Sequence, residues 1–416
     1  MDVHEYQAKA ILQRYGIAIP PGSVATTPEQ AEAIARDLSG PRWAVKAQIL
    51  AGGRGAVGGV KIVDSIDDVK MIAELMLGSQ LTTAQTSAHG LEVRQVYIER
   101  GCEIDRSFYI ALLVDTSTGQ LTLLLSPEPG AEGIEQYAMK HADTVIKTVI
   151  DPNTGPSAEQ VEDLIAGVAL TGDQAQTFQR YLDTLFKIFS ELDTTLIEIS
   201  PLVVTSTGEL TALDAKVSFD NNALFRHPEI KSLQDQQEMD SNELAAAQQG
   251  LNYFQLDGTI GTMVSGAGLA MATLDAIIES GGAPANFLDV PPMARQAQVA
   301  AAFKLLLTDS RLSCILVNVF GGGVMRCDTI ADGIIAAELE TKPRVPIVVR
   351  LAGTNAEIGR KTLQGSGLNI ILADELADVA QRAVEISQQV LRATPRPSVS
   401  GSLLQTMRRT FSKGRN

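Results

Sequence analysis

The sequence predicts a two-part α/β protein: an α+β amino-terminal region followed by a doubly wound parallel sheet. Three observations carry this expectation. Apolar runs at residues 43–49, 93–99, 107–114, 121–125 and 196–199 read as short strands, mixed with helices and glycine-rich loops in no regular order. From Gly258 onward a regular rhythm replaces this. TIGTMV, ANFLDV, CILVNVF, VPIVVRL and NIILA each precede a helix-like run, as in a parallel sheet covered on both faces. The chain, at 416 residues, is also too long for one compact core.

Taken in order, residues 3–15 read as a helix, with Val3, Tyr6, Ile11, Leu12 and Tyr15 on one face and Gly16 to end it. DTSTG at 115–119 is the turn of a hairpin. Residues 231–255 are polar and read as an exposed connection between domains. The expected divisions are a first domain at 1–235, a second at 256–391 and a tail at 392–416. The tail holds six basic residues and no acidic one. Leu403, Leu404, Met407 and Phe411 could share one helical face there. Such a tail is either a solvated chain end or a docking segment for an acidic partner or anionic surface.

Hydrophobic residues make up 45% and charged residues 20% of the chain, as in soluble globular proteins. The formal charge of −15 argues against nucleic acid as a main partner, so an anionic ligand needs a local basic or backbone-amide site. Three cysteines without CxxC spacing indicate neither a disulfide framework nor a zinc site, and point to the cytoplasm. The amphipathic start is not a secretory signal, and no apolar run reaches the length of a membrane span, so no stable membrane insertion is expected.

Three groups of residues could carry chemistry. WAVKAQILAGGRGAVGGVK, residues 43–61, places Lys46 near a strand end before a loop with Gly52, Gly53, Gly55, Gly58 and Gly59 around Arg54. Glycines let amides approach a polyphosphate, and the two cations add charge; the same loop could equally be a flexible hairpin tip. Next, Glu198 and Asp214 fall at the ends of two strand-like runs. They are either ligands for Mg²⁺ on a nucleotide or solvated strand ends. Last, VSGAGLAM, NFLDVPPMA, NVFGGGVMRCD and RLAGTNAE each stand where a strand gives way to a helix. They share the edge where free amides and helix N-termini favour a carboxylate or phosphoryl group. None of His4, His89, His141 and His227 sits in a catalytic constellation.

At these motifs the sequence resembles the succinyl-CoA synthetase β-subunit family and the related malate–CoA ligase β subunits. HEYQAK, VKAQILAGGRG, GPSAEQ, NALFR, LDGTIG, GAGLAMATLDAI, GGAPANFLDV, LVNVFGG, RCDTIADGII and VVRLAGTNAE match in colinear order over about residues 1–390. The resemblance implies an ATP-grasp domain followed by a flavodoxin-like CoA-ligase domain. It also implies use of ATP with Mg²⁺, and Pro20 leans toward ATP while leaving GTP open. The implied partners are a CoA-binding α subunit carrying the phosphorylated histidine, CoA and a small carboxylic acid. By position it implies nucleotide contacts at Lys46, Gly53, Arg54, Gly55, Glu99, Cys102 and Ser107, and metal contacts at Ser200 and Asp214. A catalytic acid falls at Glu198, and substrate contacts at Ser265, Gly322, Gly323 and Val324.

Several of these positions depart from the family pattern. Ser200 stands where the family has asparagine, Ser107 where it has glutamate and Ser265 where it has asparagine. A glycine triplet is replaced by Pro291-Pro292-Met293, which removes amide donors. The 321–325 and 126–135 loops are each one residue longer. Two readings follow: an enzyme with altered acid specificity, or a catalytically weakened paralogue acting as a binding or regulatory subunit.

Overall fold

The computed structural model describes residues 1–86, 90–127, 144–238, 241–341 and 345–393. His89, His141, most of the 126–135 loop and the tail beyond residue 393 lie outside these. Two compact units make up the chain, the first of residues 1–238 and the second beginning at 239. Among the described residues no helix is long and apolar enough to cross a membrane.

In the first unit, helix α1 (Glu5–Arg14) starts at His4, whose N–H donates to Gln7 Oε1 at 2.9 Å, and Gly16 ends it at φ +95°. Strands β1 (Gly22–Ala25), β2 (Trp43–Ala47), β3 (Val60–Val63) and β6 (Val96–Arg100) form an antiparallel sheet in the order β1-β6-β2-β3. Between them in sequence, β4 (Gln80–Leu81) and β5 (Leu91–Glu92) pair with each other. Helices α2 (Pro28–Leu38) and α3 (Ile66–Met76) cover one face of the sheet. Each begins at a hydroxyl cap: Thr27 Oγ1 accepts from Gln30 N at 3.2 Å, and Ser65 Oγ from Asp68 N at 3.1 Å. Trp43, Val45, Ala47, Val96 and Ile98 pack against those helices. The alternate residues Ala44, Lys46, Tyr97 and Glu99 face the other way, yet are buried too.

The second sheet of this unit holds β7 (Ile104–Asp115), β8 (Gln120–Ser126), β9 (Ile146–Val149), β10 (Thr194–Thr205), β11 (Leu210–Ala212) and β12 (Ala215–Phe219). Its order is β11-β10-β7-β8-β9, with β12 also paired to β10. The expected turn at 115–119 joins β7 to β8, with Gly119 at φ +70°. Helices Ala158–Gly167 and Gly172–Glu191 and the apolar face of α1 pack on this sheet. Phe178, Leu182, Leu185 and Ile188 meet Phe108, Ile110, Ile197 and Ile199 in its core. The strand read as ending near Glu198 does not stop there. It runs through Pro201, where β10 changes partner from β12 to β11 and a missing N–H costs little. Glu198 is therefore mid-strand, opposite Lys216.

In the second unit, β13 (Asn252–Gln255), β14 (Ile260–Val264), β15 (Asn286–Asp289), β16 (Cys314–Gly321), β17 (Ile347–Gly353) and β18 (Ile370–Leu372) form one sheet. The order is β13-β15-β14-β16-β17-β18. The last five strands in sequence are mutually parallel and follow the 2-1-3-4-5 order of flavodoxin-like folds, and β13 is an antiparallel edge. Along β16, Ile315, Val317 and Val319 meet the helices Gln296–Leu307 and Cys327–Thr341. Cys314 and Leu316 meet Leu376–Ala393 on the opposite face. Both faces are thus covered, which explains the near-continuous apolar strands. The polar stretch expected as an exposed connection is partly structured. It carries the helix Ser241–Gln248 and β13, with Ala246, Leu251 and Tyr253 buried. Its polar composition misled because an edge strand buries one face only, and Asn252, Phe254 and Gln255 are exposed.

Candidate functional site

Helix α1 lays its first two turns against the buried polar face of the four-stranded sheet. Glu5 and Lys9, one helical turn apart, meet Lys46 of β2 and Glu99 of β6 there. Glu99 pairs in register with Ala44, which puts it diagonally beside Lys46 on the same face. The Lys46 ammonium lies 2.9 Å from Glu5 Oε1, 2.6 Å from Glu99 Oε1 and 2.5 Å from the Leu213 carbonyl oxygen. Lys9 bridges Glu5, at 3.1 Å, and Glu99.

The glycine loop turns Arg54 inward instead of into solvent. Gly53, at φ +75°, starts the short 3₁₀ turn Arg54–Val57. The guanidinium then donates to the Ala47 carbonyl at 2.8 Å and to both Asp214 oxygens at 3.0 Å. It also lies 2.8 Å from Glu5 Oε2. A Cβ added at Gly53 or Gly55 would meet nothing within 4 Å, so the loop backbone faces open space there.

The cluster contains three acids, Glu5, Glu99 and Asp214, and three bases, Lys9, Lys46 and Arg54. Buried charges persist only with such pairing. Burial pushes the Glu5 carboxyl up, but Lys46, Lys9 and Arg54 together hold it well below the usual carboxylate range. Burial likewise works against the Lys46 and Arg54 cations. It is outweighed at Lys46 by Glu5 and Glu99, and at Arg54 by Asp214 and Glu5, so both are raised above their ordinary values. Asp214 is pushed up by burial and by the Glu5 charge, against the pull of Arg54.

These groups line a cavity of about 530 Å³, within the usual size range of small-molecule sites. Its walls include Glu5, Lys46, Gly53, Arg54, Gly55, Glu99, Cys102, Glu198, Ser200, Asp214 and Lys216. Ser200 and Asp214 come together across β10 and β12, where Ser200 N donates to the Asp214 carbonyl at 3.2 Å. Of the nucleotide-site and metal-site expectations, Ser107 alone stands outside this wall. It is half-buried on β7, paired with Val203 of β10. Glu5 and Lys9 were missed, although HEYQAK had been singled out as a motif. In the sequence an acid and a base four apart on an amphipathic helix look like a solvated pair.

His4 anchors this helix from the other side. Its Nε2 lies 2.9 Å from Asp235 and 3.9 Å from Glu238, and Glu238 accepts from Leu50 N at 2.7 Å. The three ligand-type atoms lie within 4.8 Å of one another. Asp235 and Glu238 already serve the helix and the glycine loop as hydrogen-bond partners, so the trio acts as a clasp. His227 pairs with Asp193 at 2.7 Å.

In the second unit, Ser265 follows β14 and Gly322–Val324 follow the neighbouring β16, both at the carboxyl edge of the parallel sheet. Ser265 is buried, and the next amide, Gly266 N, donates to Asp289 Oδ1 at 2.7 Å. Gly321 and Gly353 face each other so closely that a Cβ on Gly353 would stand 2.4 Å from the Gly321 carbonyl oxygen. Val324 is exposed, while Met325 is buried beneath the loop.

Comparison with known proteins agrees with this architecture. Residues 2–204 match the model of an ATP-grasp domain and residues 263–384 that of a CoA-ligase. The chain is 50% identical over 394 residues to the succinate–CoA ligase [ADP-forming] subunit beta of Paramagnetospirillum magneticum, covering 92% of this chain and 98% of that one. The corresponding subunit of Acidiphilium cryptum is 49% identical over 393 residues with the same coverage. Among solved structures, the ATP citrate lyase from Methanothrix soehngenii in complex with citrate and coenzyme A shares the fold. Its TM-score is 0.70 at 19% identity, over 92% of this chain and 99% of that one. The chain therefore belongs to the family of ADP-forming succinate–CoA ligase β subunits, built as an ATP-grasp domain followed by a CoA-ligase domain.

Proposed function

We propose that the cavity of the first unit binds Mg·ATP and that the chain works with a CoA-binding α subunit to join a small carboxylic acid to CoA. The net reaction is acid + CoA + ATP giving acyl-CoA, ADP and phosphate. One observation supports this above the others. Lys46, Arg54, the open glycine loop and the oxygen-bearing side chains of Glu198, Ser200 and Asp214 line the same cavity.

The donor set suits magnesium, since the cavity offers carboxylate and hydroxyl oxygens and the metal prefers hard oxygen ligands. Asp214 and Ser200 would hold the ion, directly or through water, with Glu198 on the same wall. A magnesium ion there supplies neutralisation of polyphosphate charge. The protein's own part is to orient. Gly53 and Gly55 leave room for phosphate oxygens to approach the backbone, and Arg54, its fork engaged by Asp214 and Glu5, adds positive charge to the cavity wall. Low exposure of Lys46 and Arg54 strengthens their pull on an entering anion. His4 and His227 are bound to carboxylates, so among the described residues no histidine is placed to accept a phosphoryl group. In this reading the acceptor is a phosphohistidine of the α subunit, as the family resemblance implies. The carboxyl edge bearing Ser265, Gly322, Gly323 and Val324 is the place for the acid and its phosphoryl group.

The test is to copurify the chain with its α-type partner and follow ADP release that depends on CoA and on succinate, malate or another short acid. Lys46→Ala and Asp214→Ala should each lower the rate by about 10²-fold or more. Activity that survives both substitutions would refute the assignment.

A further inference from the structure

We propose that Glu5 is a positioning residue of the nucleotide site, its two carboxylate oxygens fixing the Lys46 ammonium and the Arg54 guanidinium relative to each other. This rests on the cavity being the nucleotide site. The two cations come from different places, Lys46 from a strand of the four-stranded sheet and Arg54 from the loop after it. Among the described residues, Glu5 and Asp214 both act on the pair, but in different ways. Asp214 meets Arg54 at 3.0 Å and acts on Lys46 through its field. Glu5 touches each with a separate oxygen, Oε1 to Lys46 at 2.9 Å and Oε2 to Arg54 at 2.8 Å.

The surroundings of Glu5 leave it little freedom. Its side chain is 1% exposed. Lys9 holds Oε1 at 3.1 Å, and Gln48 Nε2 donates to Oε2 at 3.3 Å. Glu5 is also the first residue of α1, where the helix N-terminus favours a carboxylate. The neighbouring His4 is clasped by Asp235, so the start of the helix is anchored from outside the cluster. The spacing of the two cations is thereby set by one rigid group instead of by two flexible side chains. A lysine and an arginine would otherwise each lose considerable rotamer freedom on meeting a phosphate.

Glu5 is also a counter-ion, and a counter-ion alone would matter for folding without mattering for the ligand. Charge-balanced replacement separates the two roles. Glu5→Gln with Lys9→Met removes one acid and one base, leaving Glu99 and Asp214 against Lys46 and Arg54. Burial and net charge are kept, and the tether between the two cations is lost. Full-length wild-type chain, the double variant and Lys46→Met are titrated with Mg·ADP by calorimetry, and their thermal midpoints are compared.

The expected result is that wild type binds, Lys46→Met does not, and the double variant melts close to wild type but binds about 10- to 100-fold more weakly. Wild-type or tighter affinity in the double variant overturns the positioning role, as does a double variant that cannot fold. Absence of binding by wild type itself refutes the nucleotide reading and not only the role of Glu5.

Discussion

Replacing Arg54 by methionine tests the cavity most directly, because this one side chain links the glycine loop, Glu5 and Asp214. Methionine keeps much of the volume but removes donors to the Ala47 carbonyl, to both Asp214 oxygens and to Glu5. Breaking a buried ion pair by deleting one partner costs about 3–5 kcal/mol. Two features reduce that here. Glu5 keeps Lys46 and Lys9 as partners, and the Asp214 side chain is 32% exposed, so solvent screens its share. A cost of about 2–3 kcal/mol remains, which lowers the thermal midpoint of a unit this size by about 5–10 °C. The ligand response should change more sharply. At 100 times its Kd a ligand stabilises the wild type by about 2.7 kcal/mol. Melting followed by near-ultraviolet circular dichroism, with and without Mg·ADP, should show this upshift in wild type and none in the variant. A variant that melts within about 2 °C of wild type and is still raised by Mg·ADP would refute the ligand role and the packing account together.

Four further outcomes are expected. Glu5 has a folded pKa below its unfolded value of about 4.3, so its contribution is present above that pH and lost as pH falls through the folded value. Lys46, raised in the fold, contributes fully below about pH 10.4 and loses this as pH rises through its folded value. Urea midpoints should therefore fall more steeply on the acid side for wild type than for the Glu5→Gln, Lys9→Met variant; equal slopes would remove Glu5 from the account. Of the three cysteines, Cys314 and Cys327 are buried and burial pushes the Cys314 thiol up to about 12, whereas Cys102 is half-buried in the cavity wall. Iodoacetamide at mild alkaline pH should label Cys102 alone, and Mg·ADP should slow that labelling, as peptide mass spectrometry can show. Gly353→Ala places a Cβ against the Gly321 carbonyl at φ +89° and should destabilise the second unit by about 2–4 kcal/mol, read as a lower urea midpoint. Ser200→Asn supplies a longer amide oxygen beside Asp214 and should lower the Mg²⁺ concentration for half-maximal nucleotide binding several-fold; an unchanged requirement would place Ser200 away from the metal.

The second unit was legible because its physics is repetitive. A strand such as CILVNVF is apolar on both faces only when helices cover both, and the strand–helix rhythm then prescribes a parallel sheet. The first unit was harder to read. Lys46 and Arg54 read as cations for a polyphosphate or as charges on a flexible hairpin tip, yet both are buried in ion pairs with an acid from α1, forty to fifty residues earlier. Neither periodicity nor spacing records that contact, because the Glu5–Lys9 pair reads locally as a surface pair on a helix. The run at 196–199 was read too short for the opposite reason. A proline usually ends a strand, but at the switch between two pairing partners the missing N–H removes little.

The position of the unusual residues bears on what the protein does. Every charged member of the cluster, Glu5, Lys9, Lys46, Arg54, Glu99 and Asp214, is paired in a network that balances to zero. A chain relieved of the need to bind a polyphosphate gains nothing by burying three cations beside an open cavity, since apolar residues of similar volume fold as well or better. The substitutions fall elsewhere: Ser200 keeps an oxygen at the cavity wall, Ser107 lies outside it, and Ser265 and Pro291-Pro292-Met293 follow strands of the parallel sheet. Proline there removes amide donors, and Met293, 82% exposed, puts an apolar side chain after β15. Loss of function would degrade the costly charged network first. The changes at Ser265 and Pro291-Pro292-Met293 along the carboxyl edge are of the kind a shift in the accepted acid requires, while Ser107 and Ser200 alter the first unit and leave the ion-pair network of Lys46 and Arg54 in place.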